Sequence, residues 1–450
     1  MQTIFSELTS FAREAGEAQI SGEVRAITGI TLTAVGLERV LGIGERCIVH
    51  GSSGPVHAEV VGLGTQGTEL LPFGSWRGVA AGDRVEVDTG GDVIRPDESW
   101  KGRVINASAQ PLDGRGHLPE GTTARALRGS PPGAFDRKRI GPKLATQVRA
   151  LDIFTPLCRG QRLGIFAGSG VGKSTLMAML ARHTECDVVV MALVGERGRE
   201  VQDFIAIDLG EEGMRKAVLV VATGDEPPLT RRQAAWTAMA VAEHFRDQGQ
   251  HVLLLMDSVT RFAMAQREIG LASREPPTAK GYPPTVFSEL PQMLERAGPG
   301  PEGKGDITAI FTVLVDGDDM NDPIADAVRG ITDGHIVLDR RIAEKGRYPA
   351  IDLLASVSRT LPECHSAVEY TLLTAAHKAL AAHADMEELI RIGAYRSGSN
   401  PELDRAIAFA GPCEAFLTQR KSEQTTPDTS FAEVAALLDK AGISPDPGPR

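Results

Sequence analysis

The run Gly164-Ile165-Phe166-Ala167-Gly168-Ser169-Gly170-Val171-Gly172-Lys173-Ser174-Thr175 carries a short apolar strand into a glycine-rich turn that ends in Gly-Lys-Ser. Gly168, Gly170 and Gly172 lack a Cβ and tolerate positive φ, so such a turn can fold its backbone N–H groups inward around phosphate oxygens. Lys173 then reaches the β- and γ-phosphates, and the Ser174 hydroxyl is placed to ligate Mg²⁺. The helix predicted from about Ser174 to His183 aims its positive end at the same anion. Gly168, Ser169, Gly170, Val171, Gly172, Lys173, Ser174 and Thr175 therefore form the candidate nucleotide cradle. Ala167 stands where the strict pattern has Gly, and the strand before the turn and the helix after it supply the context the pattern needs.

Working outward, 450 residues are too many for one ordinary core and predict two or three domains. A content of 42% hydrophobic and 24% charged residues is that of a globular chain able to bury a sizeable interior. No stretch approaches the roughly 20 apolar residues of a membrane span, and the N-terminus lacks the basic-then-apolar pattern of a secretion signal. The five cysteines (Cys47, Cys158, Cys186, Cys364, Cys413) are scattered with no C-x-x-C pair. That spacing argues against a zinc site or disulfide framework and for a reducing compartment. A formal charge of -11 disfavours a chain whose main work is gripping nucleic acid.

Residues 3–18 carry Ile4, Leu8, Phe11 and Ala12 at helical spacing, which predicts a short amphipathic helix. Over 22–87, short β-prone runs at 23–27, 46–50, 57–61 and 84–87 alternate with glycine turns and predict a small barrel or sandwich. Gly62 to Gly67 matches the dinucleotide pattern G-x-G-x-x-G, but Pro72 and Gly74 follow where a long helix would be required, so that reading is rejected. Residues 96–141, rich in Gly, Pro and Arg, read as a connector with little regular structure. Beyond it, apolar strands at 188–194, 218–223, 252–256 and 307–315 alternate with helical segments, one of them opened by a capping box at Thr230 and Gln233 and reaching about Asp247. The alternation predicts a mostly parallel sheet covered on both faces. From about Leu361 helical segments take over, with helices at 368–385 and 386–392, and the end punctuated by Pro445, Pro447 and Pro449 cannot continue a helix.

Two carboxylates end apolar strands. Asp257 closes Val252-Leu253-Leu254-Leu255-Met256, at the carboxyl edge where open α/β sheets bind ligands, and fits a group acting on Mg²⁺. Glu196 ends another such run and can orient and polarise an attacking water. The acidic loop 316–322 is excluded as a calcium site, because Met320 sits where the EF-hand pattern needs Asp or Asn and its glycine is misplaced.

With these residues in place the chain resembles the flagellar protein export ATPases, in the family that includes the catalytic subunits of rotary ATP synthases and the type III secretion ATPases. The similarity rests on residues 167–175, Gly195-Glu-Arg-Gly-Arg-Glu-Val201, Asp257-Ser-Val-Thr-Arg-Phe-Ala-Met-Ala-Gln266, Lys280-Gly-Tyr-Pro-Pro284, Tyr348-Pro-Ala-Ile-Asp352 and Ser356-Val-Ser-Arg359. The resemblance implies an α/β fold with a RecA-like P-loop NTPase core and parallel sheet, an N-terminal small β-barrel and a C-terminal helical domain. The implied map is an amphipathic helix at 1–18, the barrel at 19–95, the ATPase domain at 96–360 and the helical domain at 361–450. It further implies ATP and Mg²⁺, with Glu196 as the catalytic glutamate, Arg197 as its neighbouring arginine, and Arg359 as an arginine finger entering the adjacent subunit's site. Tyr348 would stack on adenine, with Phe416 as the candidate second aromatic. The polar tail from about Thr425 is unlike the family core.

A finger supplied in trans implies a homohexameric ring closed through heterologous contacts. By the same resemblance the N-terminus would bind a stator-like regulatory subunit, and the helical domain would face a stalk protein, export chaperones and the membrane export gate. The place implied is cytoplasmic, peripheral at the inner-membrane export apparatus, with no nucleic acid as partner. The expected function is hydrolysis that energises flagellar (type III) protein export by unloading and unfolding substrates. The alternatives are a virulence-type secretion ATPase, an RNA-translocating hexamer of the transcription terminator type, and a non-catalytic nucleotide-binding ring subunit.

Overall fold

The computed structural model describes residues 20–315, 317 and 319–445. The helix expected over 3–18, and Pro447 and Pro449, lie outside them. Contacts divide the chain into two units, one of residues up to 93 with 225–230 and 265–285, the other of the remainder.

In the first unit, strands β1 (Ser21–Thr28), β2 (Thr31–Val35), β3 (Arg46–Gly51), β4 (Gly54–Gly64), β5 (Gly67–Pro72) and β6 (Arg84–Val87) close an antiparallel barrel in the order β1-β2-β5-β4-β3-β6. Alternate residues such as Leu32, Ala34, Cys47, Val49, Ala58, Val60 and Val85 fill its interior, as the two-residue period of a strand requires. Closure leaves no unpaired edge. The stretch Gly62 to Gly67 is the end of β4, a two-residue turn and the first residue of β5, with Gly64 opposite Gly67. Gly67 has φ +134, and a Cβ there would meet the Ala34 carbonyl at 2.3 Å, so this glycine answers to backbone packing and not to a dinucleotide.

The second unit is built on a nine-stranded sheet. Its strands are β8 (Arg103–Asn106), β10 (Arg162–Ala167), β11 (Val188–Glu196), β12 (Ala217–Thr223), β13 (His251–Asp257), short β14 (Gly298–Pro299), β15 (Asp306–Leu314), β16 (Gly334–Leu338) and β17 (Ile351–Ser358), while short β7 (Val93–Ile94) and β9 (Arg125–Ala126) pair separately with each other. The order is β17-β16-β10-β15-β13-β11-β12-β8, parallel from β16 to β8, with β14 and β17 antiparallel. The segment expected as a plain connector thus contributes β8, an outer strand paired with β12. Its four residues, Arg-Val-Ile-Asn, are too short and too polar to read as a core strand.

The helices, in chain order, include α1 (Arg149–Phe154), α2 (Lys173–His183), α3 (Gly198–Asp203), α4 (Gly210–Met214), α5 (Pro228–Asp247), α6 (Val259–Ala272), α7 (Pro284–Leu294), α8 (Pro323–Ile331), α9 (Arg340–Glu344), α10 (Ala367–Arg391), α11 (Pro401–Leu417) and α12 (Pro427–Lys440). Helix α5 begins at Pro228, a residue pre-set for the first helical turn, so Thr230 and Gln233 are not its capping box. The Thr230 hydroxyl instead donates to the Phe73 carbonyl at 2.8 Å, and the Gln233 amide donates to the Ala107 carbonyl at 2.9 Å.

The helices expected at 368–385 and 386–392 are one, α10, opened by a true capping box between Ser366 and Glu369. The tail from Thr425 is no tail. The Thr426 hydroxyl accepts from the Thr429 N–H to cap α12, whose Phe431, Val434 and Leu438 are buried. They join one apolar core with Leu373 and Leu380 of α10, Phe409 and Cys413 of α11, and Leu176 and Leu180 of α2. Helix α2, which follows the glycine turn, is rooted in this same core.

Candidate active site

The carboxyl ends of β10, β11 and β13 lie on one edge of the sheet. There β10 runs into the glycine turn, β11 ends at Glu196 and β13 at Asp257. Ala167 and Gly168 are buried, Ser169 and Gly170 exposed, and Val171 plugs the turn into the core beneath. Gly170 (φ +78) and Gly172 (φ +96) occupy the left-handed region; Gly168 does not. Gly172 caps α2, with Lys173, Ser174 and Thr175 in the helix's first turn and Ser174 exposed. The turn and first helical residues thus present backbone donors and a positive helix end to the same space.

Charge converges there. The Lys173 ammonium pairs directly with an Asp257 carboxylate oxygen and lies 3.7 Å from Glu196 Oε1. Asp257, only 6% exposed, also accepts from the Thr312 hydroxyl at 2.7 Å. That neighbour on β15 escaped sequence reading, since a threonine within an apolar strand carries no signal until the register is known. Burial raises the Glu196 pKa above the ordinary glutamate value, the nearby Asp257 charge adds to this, and Lys173 offsets part of it. A half-buried carboxylate with a raised pKa at a sheet edge is suited to taking a proton from water.

Gly195 (φ +71) lets the chain turn just before Glu196, and a Cβ there would meet the Arg261 side chain at 3.0 Å. Arg261, on α6, was not singled out from sequence. Neither was Arg340 of α9, which donates to the Ser169 carbonyl at 2.9 Å and so ties the glycine turn to the end of β16. The donor set fits Mg²⁺. Among the described residues no cluster of three or more His, Cys, Asp or Glu could hold a metal unaided, whereas Mg²⁺ takes one or two protein oxygens and completes its shell with phosphate and water. The Ser174 hydroxyl and Asp257 carboxylate are such hard oxygen donors, and a cation already bridges the two carboxylates in the form of Lys173.

Arg197, with its side chain 86% exposed, pairs with Glu200 at 3.3 Å. The Tyr348 ring packs against the glycine turn, 3.3 Å from where a Gly172 Cβ would stand, and keeps 41% of its surface exposed. Phe416 is covered by the Arg149 guanidinium, 5.0 Å above its ring, and borders a cavity of about 480 Å³ between α11 and α12. Exposed Arg359 donates its N–H to the Asp333 carbonyl at 3.0 Å and its guanidinium to the Arg329 carbonyl at 3.3 Å. Asp333 in turn donates to the Arg162 carbonyl at 2.8 Å, at the amino end of β10. Arg359 and the glycine turn therefore occupy opposite edges of the sheet, a six-residue strand apart, or roughly 20 Å.

Sheet, glycine turn and converging charges define a RecA-like P-loop ATPase. Residues 147–358 match the nucleotide-binding domain of the ATP synthase alpha/beta family, and 366–436 match the C-terminal domain of the type III secretion ATPase EscN. The flagellum-specific ATP synthase of Caulobacter vibrioides is 54% identical, over 93% of this chain and 96% of its own. The assembled ATPase EscN of the enteropathogenic E. coli type III secretion system superposes with a TM-score of 0.87 at 40% identity, covering 93% of this chain and all of that one. EscN in complex with its central stalk EscO superposes with a TM-score of 0.84 at 39% identity, over the same shares of the two chains. The chain belongs to the ATP synthase alpha/beta family, on its flagellar and type III secretion branch. Like that family it carries an ATP-binding domain and is an ATPase.

Proposed function

We propose that this chain assembles as a homohexameric ring whose ATP hydrolysis energises flagellar (type III) protein export, unloading and unfolding export substrates. The flagellar assignment, over a virulence-type system, is supported by 54% identity to a flagellum-specific relative against 40% to EscN. In this reading residues 168–175 cradle the triphosphate and the Tyr348 ring stacks on adenine. Ser174 and Asp257 would hold Mg²⁺, which would neutralise charge on the β- and γ-phosphates. Lys173 moves its charge from the two carboxylates onto the phosphates, freeing Glu196 to accept a proton from the attacking water. Arg197 lies one residue beyond Glu196, at the start of α3, and completes the charged rim.

The observation that carries the ring is the position of Arg359. A guanidinium roughly 20 Å from its own chain's glycine turn can reach a γ-phosphate only in a neighbour's site, where such a group is worth about 10³ to 10⁵ in rate. We further assign the work by domain: 1–18 to a stator-like regulatory subunit, 19–95 to ring contacts, 96–360 to hydrolysis, and 361–450 to a stalk protein, export chaperones and the membrane export gate. The stalk is supported by the EscN complex with EscO. No described helix is long and apolar enough to cross a membrane, in keeping with a cytoplasmic protein peripheral to the inner-membrane export apparatus. ATPase assays of wild type and Arg359→Ala, with and without RNA, test the reading. Collapse of turnover in the variant and indifference to RNA are expected; RNA-stimulated turnover would favour a terminator-type translocase.

A further inference from the structure

Two of the five free cysteines meet in space. Cys158 is buried in the segment leading to β10, and Cys364 is half-buried in the turn before α10. The Thr360 hydroxyl stands between them: the Cys158 thiol donates to it at 3.4 Å, and it lies 3.5 Å from Cys364 Sγ. Both sulfurs therefore touch one and the same hydroxyl. Lys143, held by Glu369 at 2.6 Å and 3.3 Å from His365 Nδ1, adds positive charge beside them.

The neighbouring Cys158 thiol lowers the Cys364 thiol below its ordinary value, helped by Thr360 and Lys143 and opposed by burial. Cys364 is thus the more readily ionised thiol of the two, and the thiolate is the nucleophile. The remaining cysteines are inert by contrast: burial pushes Cys47 and Cys413 up to about 12 and raises Cys186. A half-buried thiolate with a second thiol beside it is the arrangement by which redox-sensing cysteines work.

We propose that Cys364 and Cys158 form an oxidant-sensing dithiol, whose closure to a disulfide slows hydrolysis by re-seating the segment that carries Arg359. With a peroxide as oxidant, the Cys364 thiolate attacks one peroxide oxygen; the S–O bond forms, the O–O bond breaks, and hydroxide leaves to become water on taking a proton. Cys158 then attacks the sulfenic sulfur; the S–S bond forms, the S–O bond breaks, and the leaving hydroxide takes the Cys158 proton. Two thiols are oxidised and one peroxide is reduced to two waters, and a dithiol reductant reverses the change by exchange.

Closing the bond displaces Thr360 from between the sulfurs. The Thr360 hydroxyl also meets Ser358 Oγ at 2.9 Å, and Ser358 donates to the Pro156 carbonyl at 2.8 Å, so the shift reaches both residues that flank Arg359. The effect on turnover rests on the proposed role of Arg359; formation of the bond does not.

The test treats the full reduced chain with hydrogen peroxide near neutral pH, then maps cross-linked peptides, counts free thiols and measures ATPase activity before and after dithiothreitol. A Cys158–Cys364 link, loss of two of the five thiols, and a fall in turnover of about tenfold or more that dithiothreitol reverses are expected. Cys364→Ser should form no link and keep its turnover through oxidation. Cys158→Ser should leave a sulfenic acid on Cys364 that dimedone captures; should that core variant fail to fold, faster alkylation of Cys364 than of Cys186 in wild type serves instead. Absence of the link, or alkylation of Cys364 no faster than of Cys186, overturns the dithiol. A link that leaves turnover unchanged overturns the inhibition alone, and full activity in Arg359→Ala would separately overturn the role given to that arginine.

Discussion

Removing the Lys173 ammonium would leave Asp257 and Glu196 facing each other with no cation between them, and would strip the phosphate loop of its mobile charge. Lys173→Ala is expected to reduce steady-state phosphate release to background while circular dichroism stays that of the wild type. Glu196→Gln keeps the shape and removes the proposed proton acceptor, so turnover should fall about 100-fold or more while fluorescent-nucleotide titration shows binding retained. The same variant tests the raised pKa. A carboxyl whose folded pKa lies above its unfolded one contributes stability that is fully present below the unfolded value and lost as pH rises through the folded value. Glu196→Gln should therefore raise the melting temperature near pH 8 and bring little gain near pH 4. The acid limb of wild-type turnover should correspondingly lie above the ordinary glutamate range, because Glu196 must be ionised to accept a proton.

Glycine at the entry to α2 is an element-scale constraint. Gly172 caps the helix at φ +96, and a Cβ there would stand 3.3 Å from the Tyr348 ring. Gly172→Ala is expected to cost about 1–2 kcal/mol in thermal unfolding and to weaken nucleotide binding, by tilting the helix start and pressing on the ring. Which elements were legible follows the same physics. Strands β11, β12, β13 and β15 are buried on both faces and so read as uninterrupted apolar runs. Their acidic last residues stood out against that background, as did the Gly-Lys-Ser turn. Outer strand β8 did not, because Arg103 there is held by Asp113 at 2.6 Å, a partner ten residues on that composition cannot reveal. Thr312, Arg261 and Arg340 were invisible for a related reason: what each touches is decided by strand register and helix placement. Helix α12 was mistaken for a polar tail since only its inward stripe, Phe431, Val434, Leu437 and Leu438, is apolar.

For the whole molecule, the separation of Arg359 from the glycine turn makes a prediction that no single-chain variant can. Lys173→Ala and Arg359→Ala should each be inactive alone, yet when unfolded together and reassembled they should regain activity. In a random equal mixture about a quarter of interfaces pair an intact Lys173 with an intact neighbouring Arg359, so recovery toward that fraction, measured as phosphate release, is expected. No recovery would mean that the two residues do not share a site across an interface.

That separation bears on life before assembly. On the role proposed for Arg359, a freshly made copy drifting alone would hold a lysine and two carboxylates yet lack the guanidinium that finishes the chemistry, so it would squander almost no fuel. Only where enough copies gather would the last group arrive, which would tie consumption to the place and moment at which the machine is built.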